Sequence, residues 1–191
     1  MSEHTARRTP HLPGETGVWV FILGDMLMFA AFFIVFMFYR GEDVALYAKS
    51  QLTLNQHLGA VNTFLMLSSS WCVAVAVETA RGGRPRGAQV WLLSAMACAV
   101  GFVVVKFFEY SEKIAAGFTL TSNDFFMYYY MLTGLHLMHV LLGLGVLNYL
   151  WFTLRAPPAA STLRTLESGA SFWHMVDILW IVLFALLYLV R

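Results

Sequence analysis

Charge is scarce in this sequence. Only 12% of its 191 residues are Asp, Glu, Lys or Arg, and the formal net charge is +1. A soluble domain of this size carries about twice that share of charge. The near-neutral balance also lacks the basic footprint that nucleic-acid binding needs. Cysteine is almost absent: Cys72 and Cys98 both fall in apolar stretches. They lack zinc-type spacing and form no disulfide framework, so they read as small packing residues. No small-residue cleavage pattern follows the first apolar run, which is too long for a signal-peptide core, so it is expected to be retained as a helix. An inverted repeat and a pair of Gly/Pro-broken helices are missing too, which argues against a small transporter.

What the sequence does have is apolar length. It is 59% hydrophobic and 16% aromatic. Crossing a bilayer takes roughly 20 mostly apolar residues, and five stretches supply them: about Thr16–Tyr39, His57–Thr79, Ala88–Phe108, Phe126–Thr153 and Gly169–Val190. The connectors "RGEDVALYAKSQLTLNQ", "ARGGRPRG", "EYSEKIAAGFTLTSND" and "RAPPAASTLRTLES" are rich in Gly, Pro, Ser and charge. The expected fold is all-α: a polytopic membrane protein whose residues 16–191 form one five-helix bundle behind a polar tail, residues 1–15. Arg7, Arg8, Arg81, Arg84, Arg86, Arg155 and Arg164 fall on one side of such a bundle. The positive-inside bias then places the N-terminus in the cytoplasm and the C-terminus outside. The basic "RGGRPRG" connector reads as a topology signal in contact with lipid headgroups.

Polar residues inside the spans are the candidates for function, because an ionisable group near the bilayer centre is costly unless paired. Asp25 falls about 13 Å along the first span. Asp177 lies at a similar expected depth in the fifth, with His174 one turn away. His136 and His139 stand three residues apart in the charge-free "TGLHLMHVLLGLGVL" of the fourth span. These five residues could meet in one buried layer. Four readings compete for them: a di-metal site, for which six histidines in the whole chain are few; a b-type haem held between His136 or His139 and His57 or His174; a proton relay; or hydrogen bonds that lock the bundle. Glu109 and Glu112 form an outer acidic pair near Lys106 and Lys113, read as a salt-bridged helix end or a partner contact. Glu78 beside Arg81 reads as an interfacial pair.

Packing signals are small residues. Ser68, Cys72, Ala76 and Ala80 recur at four-residue spacing on the second span, as do Ala97 and Gly101 on the third. Such stripes let helix backbones approach where lipid provides no hydrophobic drive. The run from Phe125 to Leu154 would span about 45 Å as a helix, beyond the ~30 Å hydrocarbon core, so it must tilt, kink or project. Its outer "FFMYYYM" reads as an interfacial aromatic belt, although a protein-facing surface would look similar.

Five ordered motifs resemble subunit III of the haem–copper oxidases: "GVWVFILGDMLMFAAFF", "VNTFLMLSSS", "FFEYSEKIAAGFTLTSNDFF", "TGLHLMHVLLG" and "FWHMVDILWIVLFALLYLV". The resemblance implies a non-catalytic accessory subunit in a bacterial inner membrane. It implies no haem or metal bound by this chain, redox centres on a catalytic haem-containing partner, and bound phospholipid. On that reading the five buried polar residues are structural or lipid-associated, and Asn62 and Thr63 join Ser68, Cys72 and Ala76 in helix packing. Compared with the seven-helix members, the match begins at what resembles their third helix. Asp25 stands where oxidase subunits typically carry Glu. The opening "HLPGETGVWVFILGDM" looks closer to the accessory protein encoded with bacterial nitric oxide reductases. The partner is therefore expected to be an oxidase or a nitric oxide reductase. The contrasting expectation is a self-sufficient membrane cytochrome using the intramembrane histidines.

Overall fold

The computed structural model describes residues 16–155 and 160–190. The expected tail, 1–15, lies outside the described residues. Among the described residues six helices follow in order: α1 Thr16–Glu42, α2 Val44–Gln51, α3 Gln56–Arg81, α4 Pro85–Ala115, α5 Asp124–Thr153 and α6 Ala160–Phe184. A π turn, Ala185–Leu189, continues α6. All but α2 are long and apolar enough to cross a membrane.

Local chemistry sets the helix starts. Asn55 Oδ1 accepts from the backbone N–H groups of His57 and Leu58 at 3.0 and 3.4 Å, capping α3. Asn123 caps α5 through Phe126 N–H at 2.9 Å, and Asp43 caps α2 through Leu46 N–H at 3.0 Å. Pro85 opens α4, where its missing N–H costs nothing. The hairpin between α3 and α4 turns on Gly83, whose φ of 73° suits glycine.

The helices outrun the apolar stretches. α4 continues seven residues past Phe108 to Ala115, and α6 begins nine residues before Gly169, at Ala160. The "VALYAKSQ" part of the first connector is helical as well. Polar composition marks where hydrocarbon ends, whereas helix ends follow caps and packing. Short α2 is held by Tyr47, which is buried with edge-on contacts to Phe36 and Phe125. Burial among apolar rings also raises the Tyr47 phenol pKa.

α3 and α4 form the most extensive helix pair, α6 packs on α3, α5 and α1, and α4 closes against α5. The core between them holds the fully buried Trp173, Trp180, Phe102 and Met66. On α3, Cys72, Ala76 and Ala80 are buried, but Ser68 is only half-buried. Neighbouring Ser69 faces α4 instead and donates to the Ala95 carbonyl at 2.9 Å. The expected Ala97–Gly101 stripe is corrected: Ala97 is exposed, and Ala88, Ala95 and Ala99 face inward. α4 carries small residues on two faces, so spacing alone could not choose between them. Cys72 and Cys98 are free thiols. Of the two readings of "FFMYYYM", the protein-facing one holds for its aromatic residues up to Tyr129. Phe125, Phe126, Tyr128 and Tyr129 are buried among Phe36, Tyr47, Tyr110 and Phe118 and form no outward belt.

Candidate functional site

The five intramembrane polar residues do not form one cluster. They divide into three groups, each joining a different pair of helices. His136 and His139 sit about 60° apart around α5, enough to send them to different neighbours. His136 is fully buried, and its Nε2 donates to the Val176 carbonyl of α6 at 3.0 Å. Its ring lies edge-on to Phe102 at 5.7 Å and tilted against Trp180 at 5.3 Å. His139 turns to α1. Its Nδ1–H donates to the Leu135 carbonyl at 2.8 Å, and Nε2 stands 2.8 Å from Asp25 Oδ2. This second contact ties α5 to α1 within the apolar part of the bundle.

The third group joins α3 and α6. Ser70 Oγ lies 2.6 Å from His174 Nδ1, and Asp177 neighbours both. Asp177 is buried and its Oδ1 has no hydrogen-bond partner among the described residues.

The expected outer acidic pair also separates. Glu112 is exposed and sits 3.3 Å from Lys113, which is itself buried and donates to the Thr53 carbonyl at 2.6 Å. Glu109 is fully buried with Lys106, at 2.9 Å. The cause is helix continuation: α4 runs on between α5 and the π turn, so Glu109 faces the bundle while Glu112 turns outward. Lys106 Nζ also donates to Tyr188 Oη at 3.0 Å, and Tyr188 donates to Glu109, closing a three-membered network. The rings of Tyr110, Tyr129, Trp180 and Tyr188 surround the ammonium at 4.9–5.6 Å.

Sequence reasoning missed Tyr188 and its support. The π turn leaves backbone carbonyls unpaired, and side chains from three other helices fill them. Arg40 of α1 donates to Val190 O at 3.1 Å, Gln51 of α2 to Leu186 O at 3.1 Å, and Gln56 of α3 to Tyr188 O at 2.7 Å. Lys106 was legible as an i, i+3 partner of Glu109; nothing in the sequence pointed to Tyr188.

Asn62 is fully buried on α3. Thr63 bridges two elements: its hydroxyl donates to Gly59 O at 2.9 Å and accepts from Trp180 Nε1 at 3.0 Å. Arg81 pairs with Glu167 at 2.8 Å and stands 3.8 Å from Glu78. Among the described residues no three His, Cys, Asp or Glu side chains gather as a metal-holding group. An apolar cavity of about 520 Å³ opens between α1, α5 and α6, lined by Gly17, Val18, Phe21, Val146, Tyr149 and Phe172. A second, of about 770 Å³, lies at the α3–α4 hairpin beside Arg84, Arg86 and Trp91.

The arrangement suits joining helices better than turning over a substrate. Comparison with known proteins agrees with that. The family described as cytochrome c oxidase subunit III matches residues 3–190. This chain belongs to that family. Cytochrome c oxidase subunit 3 of a Synechocystis strain is 31% identical over 175 residues, covering 91% of this chain and 74% of the relative. Quinol oxidase subunit 3 of Bacillus subtilis is 26% identical over 177 residues, covering 91% and 85%. A haem–copper oxidase subunit I+III of Aeropyrum pernix is 28% identical over 186 residues, covering 92% of this chain and 22% of that longer protein. The subunit III family thus accounts for the multi-pass, all-helical architecture.

Proposed function

We propose that the chain is the non-catalytic subunit III of a respiratory haem–copper oxidase, seated beside the haem-bearing catalytic subunit and sustaining its turnover. The observation that carries this reading is the family match across residues 3–190. The Aeropyrum pernix relative adds to it, since its name joins subunits I and III in one chain. The relatives named above are oxidase subunits by name, which favours an oxidase partner over a nitric oxide reductase. The chain itself binds no haem or metal on this reading. In support, His136 and His139 direct Nε2 to Val176 and Asp25, and His174 directs Nδ1 to Ser70. The protein sits in a bacterial inner membrane with its N-terminus cytoplasmic, in keeping with the arginine distribution. A phospholipid acyl chain occupies the apolar cavity between α1, α5 and α6, whose lining and volume suit one.

The test is co-purification from native membranes in mild detergent. A haem-containing catalytic subunit that reduces oxygen is the expected companion. Nitric oxide reduction by that companion would move the chain to the reductase branch. A Soret band from the isolated chain would sink the accessory reading in favour of a self-sufficient cytochrome.

A further inference from the structure

The third polar group differs from the others in lying at an open surface. His174 is only partly buried, and its neighbours Leu67 and Trp71 on α3 and Ile178 on α6 are 46%, 60% and 49% exposed. It stands near the middle of the apolar stretch Ser161–Leu189, and Ser70 is at the middle of α3. This face is therefore at mid-membrane depth.

His174 Nδ1 and Ser70 Oγ share one hydrogen bond across their 2.6 Å contact, whichever of the two donates. No hydrogen bond joins His174 Nε2 to another described residue. Acyl chains offer none. A ring nitrogen left facing them would stay unsatisfied where that costs most. The exposed face of α4 is different: Leu93, Val100, Val104 and Phe107 are apolar throughout, as a lipid-facing surface requires.

We infer that the α3–α6 face around His174 seats a transmembrane helix of the haem-bearing partner, which gives His174 Nε2 a hydrogen-bond partner such as a hydroxyl or amide side chain. This rests on the subunit reading above and adds the face and the contact. Ala74 of α3 is small and exposed and Ser171 of α6 is small and half-buried, which suits close helix approach.

The test places a photo-crosslinking residue singly at Ile178, Val104 and Leu27 in the full complex in native membranes. The Ile178 position is expected to give an adduct with the haem-bearing subunit, and Val104 lipid adducts only. If Ile178 labels only lipid or a second copy of this chain while another position reaches the haem subunit, the face is wrong and the subunit reading stands. If no position reaches a haem subunit, both fall. In parallel, His174→Leu should lower the co-purified haem subunit about tenfold, while His174→Gln, which keeps a hydrogen-bonding group, should restore most of it. Equal retention by the Leu variant would overturn the His174 contact.

Discussion

Helices α1 and α6 are both long and apolar, yet they occupy opposite positions in the molecule. Only 22% of the most apolar window of α1 is buried, against 56% for α6. α1 is the more hydropathic of the two. In a soluble protein the greasier helix would be the inner one. Here the solvent is hydrocarbon, so hydropathy reports contact with lipid, while the core is marked by small residues, polar pairs and large rings that meet. α6 is fixed by Trp173, Trp180 and the Tyr188 network. α1 is fixed at midspan by the Asp25–His139 pair and at its C-terminal end by Arg40.

The comparison can be broken hardest on the α6 side. Lys106→Met leaves Glu109 buried without its counter-charge and should cost about 3–5 kcal/mol, the usual penalty for half of a buried ion pair. Thermal unfolding of the complex in detergent would register it. Adding Glu109→Leu should recover much of the loss, and no recovery would mean the network does more than neutralise charge.

Next come the glycines. A Cβ at Gly143 of α5 would lie 2.6 Å from the Trp173 ring, so Gly143→Ala should destabilise by about 1–3 kcal/mol. At Gly24 of α1 nothing lies within 4 Å, so Gly24→Ala should change stability by no more than about 0.5 kcal/mol. Equal effects at the two sites would erase the distinction between core-held and lipid-held helices.

Removing the α1 tether should be a local event. Asp25→Leu leaves His139 Nε2 unpaired and should cost about 1–3 kcal/mol. Amide exchange should speed up along α1 while α3 and α4 stay protected. Asp25→Asn keeps a hydrogen bond and should lose less, with sustained turnover of the complex falling before assembly does. The smallest effect belongs to the surface: Arg81→Ala breaks a partly exposed pair and should cost under about 1 kcal/mol, shrinking further as salt rises.

How much of this was legible follows from which residues carried a local signal. The spans could be read because a bilayer demands uninterrupted apolar length. Asp25, His136, His139, His174 and Asp177 stood out because ionisable groups are rare in such runs. Their partners did not, since three residues of separation on α5 send His136 to α6 and His139 to α1, and no spacing rule says which helix waits there. Glu109 and Glu112 looked alike in sequence and parted because α4 runs on beyond the apolar boundary. Ser69 rather than Ser68, and Ala95 with Ala99 rather than Ala97, were choices between adjacent faces of one helix.

The sequence by itself determined that this protein carries five stretches long and apolar enough to cross a membrane and that it belongs with subunit III, because hydrocarbon thickness and ordered motifs are written along the chain. Only the tertiary structure decided that Tyr188, placed by a π turn and held by Arg40, Gln51 and Gln56, closes around Lys106 and Glu109. The reason is physical: a buried charge must be answered by whichever groups the packing brings within reach, and those groups come from distant parts of the chain.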